Sequence, residues 1–244
     1  MNIPKKIHYC WFGGNPLNDL GKKCLESWKK FFPDYEIIEW NESNFDVNCC
    51  QYVKEAYEAK KWAFVSDYAR FKILYEQGGV YFDTDVEVIK SFDKILEKGS
   101  YMGSERKTAS INPGIGFAVE AGHPFIKELL DDYDKSSFKK EDGSLDLTTI
   151  VDRTTAFLKV HGLEDKNEIQ TVAGITIYPV DYFCPIDMET GKLTITENTC
   201  SIHRYAASWV DDYSKFRGKV YKIIRRCFGE KLTAKIRAVF GRKK

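Results

Sequence analysis

Asp83 and Asp85 stand one residue apart in Gly78-Gly79-Val80-Tyr81-Phe82-Asp83-Thr84-Asp85, just past a short apolar run that a double glycine introduces. Residues i and i+2 of a strand project to the same side, so the two carboxylates are predicted to converge on one point. Two anions share such a point only with a cation or a proton between them. A divalent ion holding the diphosphate of a nucleotide-sugar is such a cation, and Mg²⁺ and Mn²⁺ favour oxygen ligands of this kind. Upstream, Ser66-Asp67-Tyr68-Ala69-Arg70 sets an acid and a guanidinium three residues apart, on one face of a helix. There Arg70 can grip phosphate or sugar hydroxyls through its planar fork. Taken alone, each pattern has a plainer reading: a solvated acidic turn for the first, a surface ion pair for the second.

These groups must be held by elements, and the chain supplies them in alternation. Ile3 to Trp11 is an apolar stretch ending at Phe12-Gly13-Gly14, as a buried strand and its turn would be. Leu20, Cys24, Leu25, Trp28, Phe31 and Phe32 recur at helical spacing, and Pro33-Asp34 stops them. Tyr35 to Trp40 is predicted as a second strand, and Trp62 to Gln77 as the clearest helix, with Val65, Ala69, Ile73 and Leu74 along one stripe and Gly78 as its C-terminal cap. Val86 to Ile89, Thr171 to Val180 and Lys192 to Ile195 carry strand character, and the polar run Lys135 to Ser144 is expected on the surface. Strands alternating with helices argue for an α/β domain with a mainly parallel central sheet flanked by helices. Trp11 then falls at the carboxyl end of the first strand, where such sheets keep their ligand crevices, although packing alone explains many strand-end tryptophans.

The composite from Val65 to Val88 resembles the signature of family 32 glycosyltransferases: Ser-Asp, an Arg three residues after the Asp, Gly-Gly-x-Tyr, then Asp-x-Asp. The family includes bacterial capsule-type sugar transferases and yeast-type mannosyltransferases, and the glucosylating domains of large clostridial toxins are similar here. The resemblance extends over roughly residues 3 to 209 and implies a GT-A type fold. It implies a retaining, metal-dependent hexosyltransferase that takes its donor from a nucleotide-sugar; a UDP-sugar is expected, with GDP the alternative because mannosyl-transferring relatives use it. Asp85 would contact Mn²⁺ or Mg²⁺, with Asp83 on the ribose, the sugar or the metal through water. Asp67 and Arg70 would lie against the transferred sugar, and Tyr81 and Trp11 on the nucleotide side. A closing segment, Ser201-Ile202-His203-Arg204-Tyr205-Ala206-Ala207-Ser208-Trp209, is similar to that of bacterial members. It implies His203 as a further metal ligand and Ser208 and Trp209 as diphosphate donors, while a satisfied structural imidazole is the plainer reading of His203. Asn112, in Asn112-Pro113-Gly114-Ile115-Gly116, falls where the family lines its acceptor side; a simple turn explains that run nearly as well.

The 244 residues with 43% apolar content can bury one substantial core. No apolar run approaches the roughly eighteen residues that span a bilayer, and the start carries no secretory pattern, so a cytoplasmic enzyme is expected. Seven cysteines without a Cys-x-x-Cys pair are read as reduced thiols. The net charge of +1 hides an asymmetry: Ser214 to Lys244 holds twelve Lys or Arg and one acid, Glu230, so the tail is +11 and the body −10. Val220, Ile223, Ile224, Phe228, Leu232, Ile236 and Phe240 recur there at three- and four-residue steps. That is the pattern of a basic amphipathic helix for an anionic membrane surface, with a solvated helix packed on the body as the plainer reading. Residues 1–213 are therefore read as the catalytic domain and 214–244 as a peripheral anchor on the inner face of the cell membrane. A saccharide acceptor linked to polyprenyl diphosphate, as in capsule or exopolysaccharide synthesis, follows from the tail and the family together. A basic stripe alone is a poor argument for nucleic acid, and none is expected as a partner. A host-directed glycosylating effector is the nearest rival. A haloacid-dehalogenase-type phosphatase is disfavoured because Val86-Glu87, not Gly-Thr, follows the second Asp. A catalytically silent sugar-binding protein is disfavoured by the intact acids and Arg70.

Overall fold

The computed structural model describes residues 3–188 and 190–206. Ser208, Trp209 and the basic segment 214–244 lie outside the described residues, as does the boundary expected at 213. The strands are β1 (Lys6–Cys10), β2 (Glu36–Trp40), β3 (Gly79–Tyr81), β4 (Val86–Val88), β5 (Tyr101–Gly103), β6 (Phe117–Val119), β7 (Gln170–Val172), β8 (Ile175–Tyr178) and β9 (Ser201–His203). The helices are α1 (Asp19–Phe31), α2 (Gln51–Glu58), α3 (Trp62–Gln77), α4 (Asp93–Leu96), α5 (Pro124–Asp134), α6 (Ile150–Val160) and α7 (Val180–Phe183), with a 3₁₀ turn at Pro113–Ile115.

Seven strands form one sheet in the order β2-β1-β3-β6-β5-β8-β7. The β1–β2, β1–β3 and β5–β8 pairings are parallel, while β6 and β7 run against their neighbours. The sheet is thus mixed, with most of its strands sharing one direction, as the alternation of elements predicts. Side chains alternate across it: Val80 and Ala118 face a core formed with α1, α4 and α7, whereas Tyr81, Phe117 and Val119 face one formed with α2, α3, α5 and α6. A sheet covered on both faces is the three-layer solution for apolar strands.

Two expectations are corrected. The stretch 171–180 is a hairpin of β7 and β8 turning at Ala173-Gly174, and 192–195 forms a single bridge, Leu193 with Ile186, instead of a strand. Leu193 and Ile195 are exposed there, so no apolar face drives pairing beyond that bridge.

The helix α3 keeps the predicted bounds and is buried along most of its length, Asp67 and Arg70 included. It ends where Gly78 donates its N–H to the Leu74 carbonyl at 2.9 Å with φ +63°. A Cβ there would come within 2.8 Å of the Ala121 nitrogen, so glycine answers both the turn and the close approach. The turn is locked from beneath by His8 of β1. Trp40 Nε1 donates to His8 Nδ1 at 3.1 Å, which leaves the proton on Nε2 to be donated to the Gly78 carbonyl, also at 3.1 Å. His8 is therefore a neutral imidazole in a fixed tautomer, and it holds the joint between α3 and β3. On the other face, Trp28 of α1 is fully buried and donates from Nε1 to the Val86 carbonyl at 2.8 Å. Ser27 Oγ accepts from Val88 N at 2.9 Å. So α1 pins β4 just beyond Asp85.

Burial holds the His8 pKa down at about 4 against the pull of its bond to Gly78. The unfolded chain then binds more protons than the folded one between about pH 4 and 6.5, and stability falls as pH drops through that window. Between pH 7.5 and 5 this linkage removes about 2 kcal/mol. Denaturant unfolding of the parent and His8→Gln chains at both pH values should show a difference shallower by about that amount in the variant; equal pH dependences would refute the buried neutral imidazole.

Candidate active site

The strand β3 stops at Tyr81, and Asp83 and Asp85 lie in the turn that follows, closed by Val86 N donating to the Asp83 carbonyl at 3.1 Å. The expected geometry of two carboxylates on one side of a strand is therefore replaced by a turn, and each acid has its own set of partners. Asp83 looks back toward α3. Arg70 Nη1 donates to its Oδ2 at 3.3 Å and stands 3.2 Å from Oδ1, while the Tyr81 hydroxyl donates to Oδ1 at 3.1 Å. Asp85 looks forward to β9. Its Oδ2 accepts from the Ala206 amide at 2.8 Å and lies 3.4 Å from His203 Nε2.

Arg70 is the joint. Its side chain is 4% exposed, and Nη2 donates to Asp67 Oδ1 at 2.9 Å while Nε donates to the Ser66 carbonyl at 3.1 Å. The guanidinium lies over the Tyr81 ring, 4.7 Å from its centroid. The pair with Asp67 is thus a buried bridge and not the surface ion pair that spacing alone allows. Burial pushes the Asp67 carboxyl up to about 7 against the pull of Arg70, and burial raises Asp83 in the same way. For Asp85 burial also acts upward, but His203 and the Ala206 amide overcome it and hold the carboxyl below the usual range. His203 is raised well above an ordinary imidazole, because the Asp85 charge outweighs its burial. The two acids, one residue apart, are in opposite electrostatic settings.

The small second sheet brings His203 here. The strand β9 pairs antiparallel with β4, setting His203 opposite Val86, and Arg204 N donates to the Asp85 carbonyl at 2.9 Å. Arg204 also pairs with Glu87. On the far side, the turn Pro113–Ile115 closes over Asp83, whose N–H donates to the Gly114 carbonyl at 2.9 Å. A Cβ built on Gly114 collides with Asp83 Oδ2 and lies 3.0 Å from both Arg70 Nη1 and Asn112 Oδ1. Glycine is needed there for close approach. Asn112 is buried and accepts from Gly114 N at 2.7 Å, so its side chain is committed to the turn.

Tyr81 is fully buried, with its hydroxyl on Asp83. Trp11, partly exposed just beyond β1, donates from Nε1 to the Asn15 carbonyl at 2.6 Å. The structure therefore gathers Asp67, Arg70, Tyr81, Asp83 and Asn112 into one network and Asp85 with His203 into its neighbour. The sequence reading missed Glu105, a buried acid of the segment after β5, which accepts from Asn112 Nδ2 at 2.9 Å. A lone acid in a loop carries no periodic or motif signal.

A divalent ion suits this donor set. Carboxylates and an imidazole are ligands that Mn²⁺ and Mg²⁺ accept. Among the described residues no three His, Cys, Asp or Glu side chains are grouped to enclose an ion. Asp85 and His203 would hold such an ion as a pair and leave the rest of its shell to phosphate oxygens and water.

A mixed α/β sheet bearing an Asp-x-Asp turn backed by a buried arginine is a fold of GT-A type. Residues 19–101 match the family described as the glycosyltransferase sugar-binding region containing DXD motif. The chain is 26% identical over 147 residues to inositol phosphoceramide mannosyltransferase 3 of Schizosaccharomyces pombe, covering 56% of this chain and 38% of that protein. It is 26% identical over 144 residues to inositol phosphoceramide mannosyltransferase 1 of the same yeast, covering 54% and 43%. The chain thus spans less than half the length of these curated relatives. Among solved structures it is similar to the PaToxG glycosyltransferase, with 20% identity, a TM-score of 0.52, and coverage of 65% of this chain and 69% of that one. That likeness concerns the fold.

Arg70→Ala leaves buried Asp67 without its counter-charge and partly exposed Asp83 without its arginine, and should cost about 3–5 kcal/mol in denaturant unfolding; a loss under about 1 kcal/mol would show that Arg70 is not their counter-charge. Gly114→Ala must displace Asp83 or the turn. Overpacking of this kind costs about 1–3 kcal/mol, which denaturant unfolding of the variant should show. Unchanged stability would show that Asp83 tolerates another position.

Proposed function

We propose that the chain transfers a hexose from a UDP-sugar to a saccharide hydroxyl with retention of anomeric configuration, using Mn²⁺ or Mg²⁺. The observation that carries this is the Asp83–Asp85 turn past the carboxyl end of β3, whose first acid is held by Arg70 of α3 and whose second is held by His203 of β9. When bound, the ion supplies Lewis-acid neutralisation of the departing diphosphate. Asp85, kept ionised, and His203, once neutral, are the residues that would hold it. Asp83, fixed by Arg70 and Tyr81, accepts hydrogen bonds from ribose or sugar hydroxyls, and the Arg70 charge offsets negative charge that builds toward the phosphate. Asp67 acts by orienting Arg70 and the sugar, and no side chain is assigned as a covalent nucleophile. Trp11 offers a face for the nucleotide base, Ser208 and Trp209 donors for the diphosphate, and Asn112 a boundary of the acceptor side.

The acceptor is proposed to be a lipid-linked saccharide of capsule or exopolysaccharide assembly, reached from the cytoplasmic face of the membrane. The support is the +11 segment from Ser214 to Lys244 with its apolar residues at helical spacing. No described helix is long and apolar enough to cross a membrane. A second reading takes its sugar and acceptor from the yeast relatives, whose names specify mannose transfer to inositol phosphoceramide: here, mannose moved from a GDP-sugar to a phosphate-bearing lipid.

Calorimetric titration of UDP and of GDP, with and without Mn²⁺, tests both. Binding of one nucleotide that requires Mn²⁺, weakened at least about tenfold (about 1.4 kcal/mol) in Asp85→Asn, supports the transferase reading and selects its donor. Failure of well-folded protein to bind either nucleotide would overturn it.

A further inference from the structure

Asn112 must present its carbonyl, not its amide nitrogen, to the Gly114 N–H, since a donor cannot accept. The side-chain amide can turn either way, and its second partner enforces the same choice. That partner is Glu105. A carboxylate is acceptor-only, so the Asn112 Nδ2 group must face it, and it does so at 2.9 Å in the interior. The opposite end then accepts from Gly114 N at 2.7 Å, Gly114 O accepts from Asp83 N at 2.9 Å, and the bare Cα of Gly114 leaves room for Asp83 Oδ2.

Glu105 is 9% exposed as a residue, and an ionised group in that setting is expensive unless it is bonded. Its bonds run along its own loop: Ser110 Oγ donates to it at 3.4 Å, Arg106 Nε stands 3.7 Å away, and Glu105 N donates to the Ser110 carbonyl at 2.8 Å. The Glu105 charge also bears on the Tyr205 hydroxyl, two residues beyond His203.

We propose that Glu105 is a positioning residue: by fixing the orientation of the Asn112 amide it sets the Gly114 turn, and through that turn the place of Asp83. Asn112 then acts chiefly through Gly114, in addition to any part in bounding the acceptor. The consequence for donor binding rests on the transferase reading given above; the mechanical link does not.

The test compares Glu105→Ala with Glu105→Gln in the full chain. Glutamine keeps an oxygen for Asn112 Nδ2, whereas alanine frees the amide to turn. Amide hydrogen exchange at Asp83 and Gly114, followed without ligand, should quicken at least about tenfold in the alanine variant and stay near the parent rate in the glutamine variant, with melting temperature as the control for folding. A second pair guards against simple destabilisation. Asn112→Asp opposes two carboxylates and should quicken exchange likewise, and adding Glu105→Gln to it should restore slow exchange, because glutamine can donate to the new acid. Unchanged exchange in Glu105→Ala, or no rescue in the double variant, would overturn the proposal. In the same proteins, Mn²⁺-dependent UDP or GDP binding should weaken at least about fivefold in Glu105→Ala. Should the parent chain bind neither nucleotide, the transferase reading fails while the exchange comparison still decides this one.

Discussion

One guanidinium buried between two carboxylates governs this molecule. Arg70 is nearly inaccessible and bonds to Asp67 on its own helix and to Asp83 beyond the next strand. Removing three charges from water is costly, and such a cluster persists only when its geometry leaves no charge unmet. That requirement fixes the register of α3 against β3. It explains why a helix otherwise apolar on most sides carries two ionic residues inward, and why Gly78 and His8 are committed to the joint between helix and strand. The sheet, in this sense, is the frame on which Arg70 is mounted.

Asp83 and Asp85 divide the remaining work between them. The first is tied inward to α3, Tyr81 and the Gly114 turn. The second is tied to β9 and the segment that follows. A short acidic motif thereby joins two structural territories that no local interaction would connect. Its separation into an arginine-held acid and a histidine-held acid gives two carboxylates with distinct proton affinities.

Much of this was legible from residue types and spacing. The helix from Trp62 to Gln77, the cap at Gly78, the first two strands and the Asp67–Arg70 pair all follow from periodicity and spacing. What escaped did so for physical reasons. The 83–85 segment alternates like a strand, but the carbonyl of Gly114 and the turn bond into Val86 claim its backbone, and neither partner is visible locally. The stretch 192–195 has strand composition without a neighbouring apolar face to join. The depth of Arg70 depends on helices packed from elsewhere in the chain. Glu105 is one acid among thirty-six Asp and Glu, and only the folded loop reveals that it faces an asparagine.

The pairing of β4 with β9 has a meaning in time. More than a hundred residues of synthesis separate Asp85 from His203, so a nascent chain can build the sheet and seat Arg70 while Asp85 still lacks its imidazole. Long-range strand pairing forms late because loop closure must come first. The half of the site facing β9 is therefore assembled after the Arg70 half, and any catalyst built on it stays silent until β9 has left the ribosome.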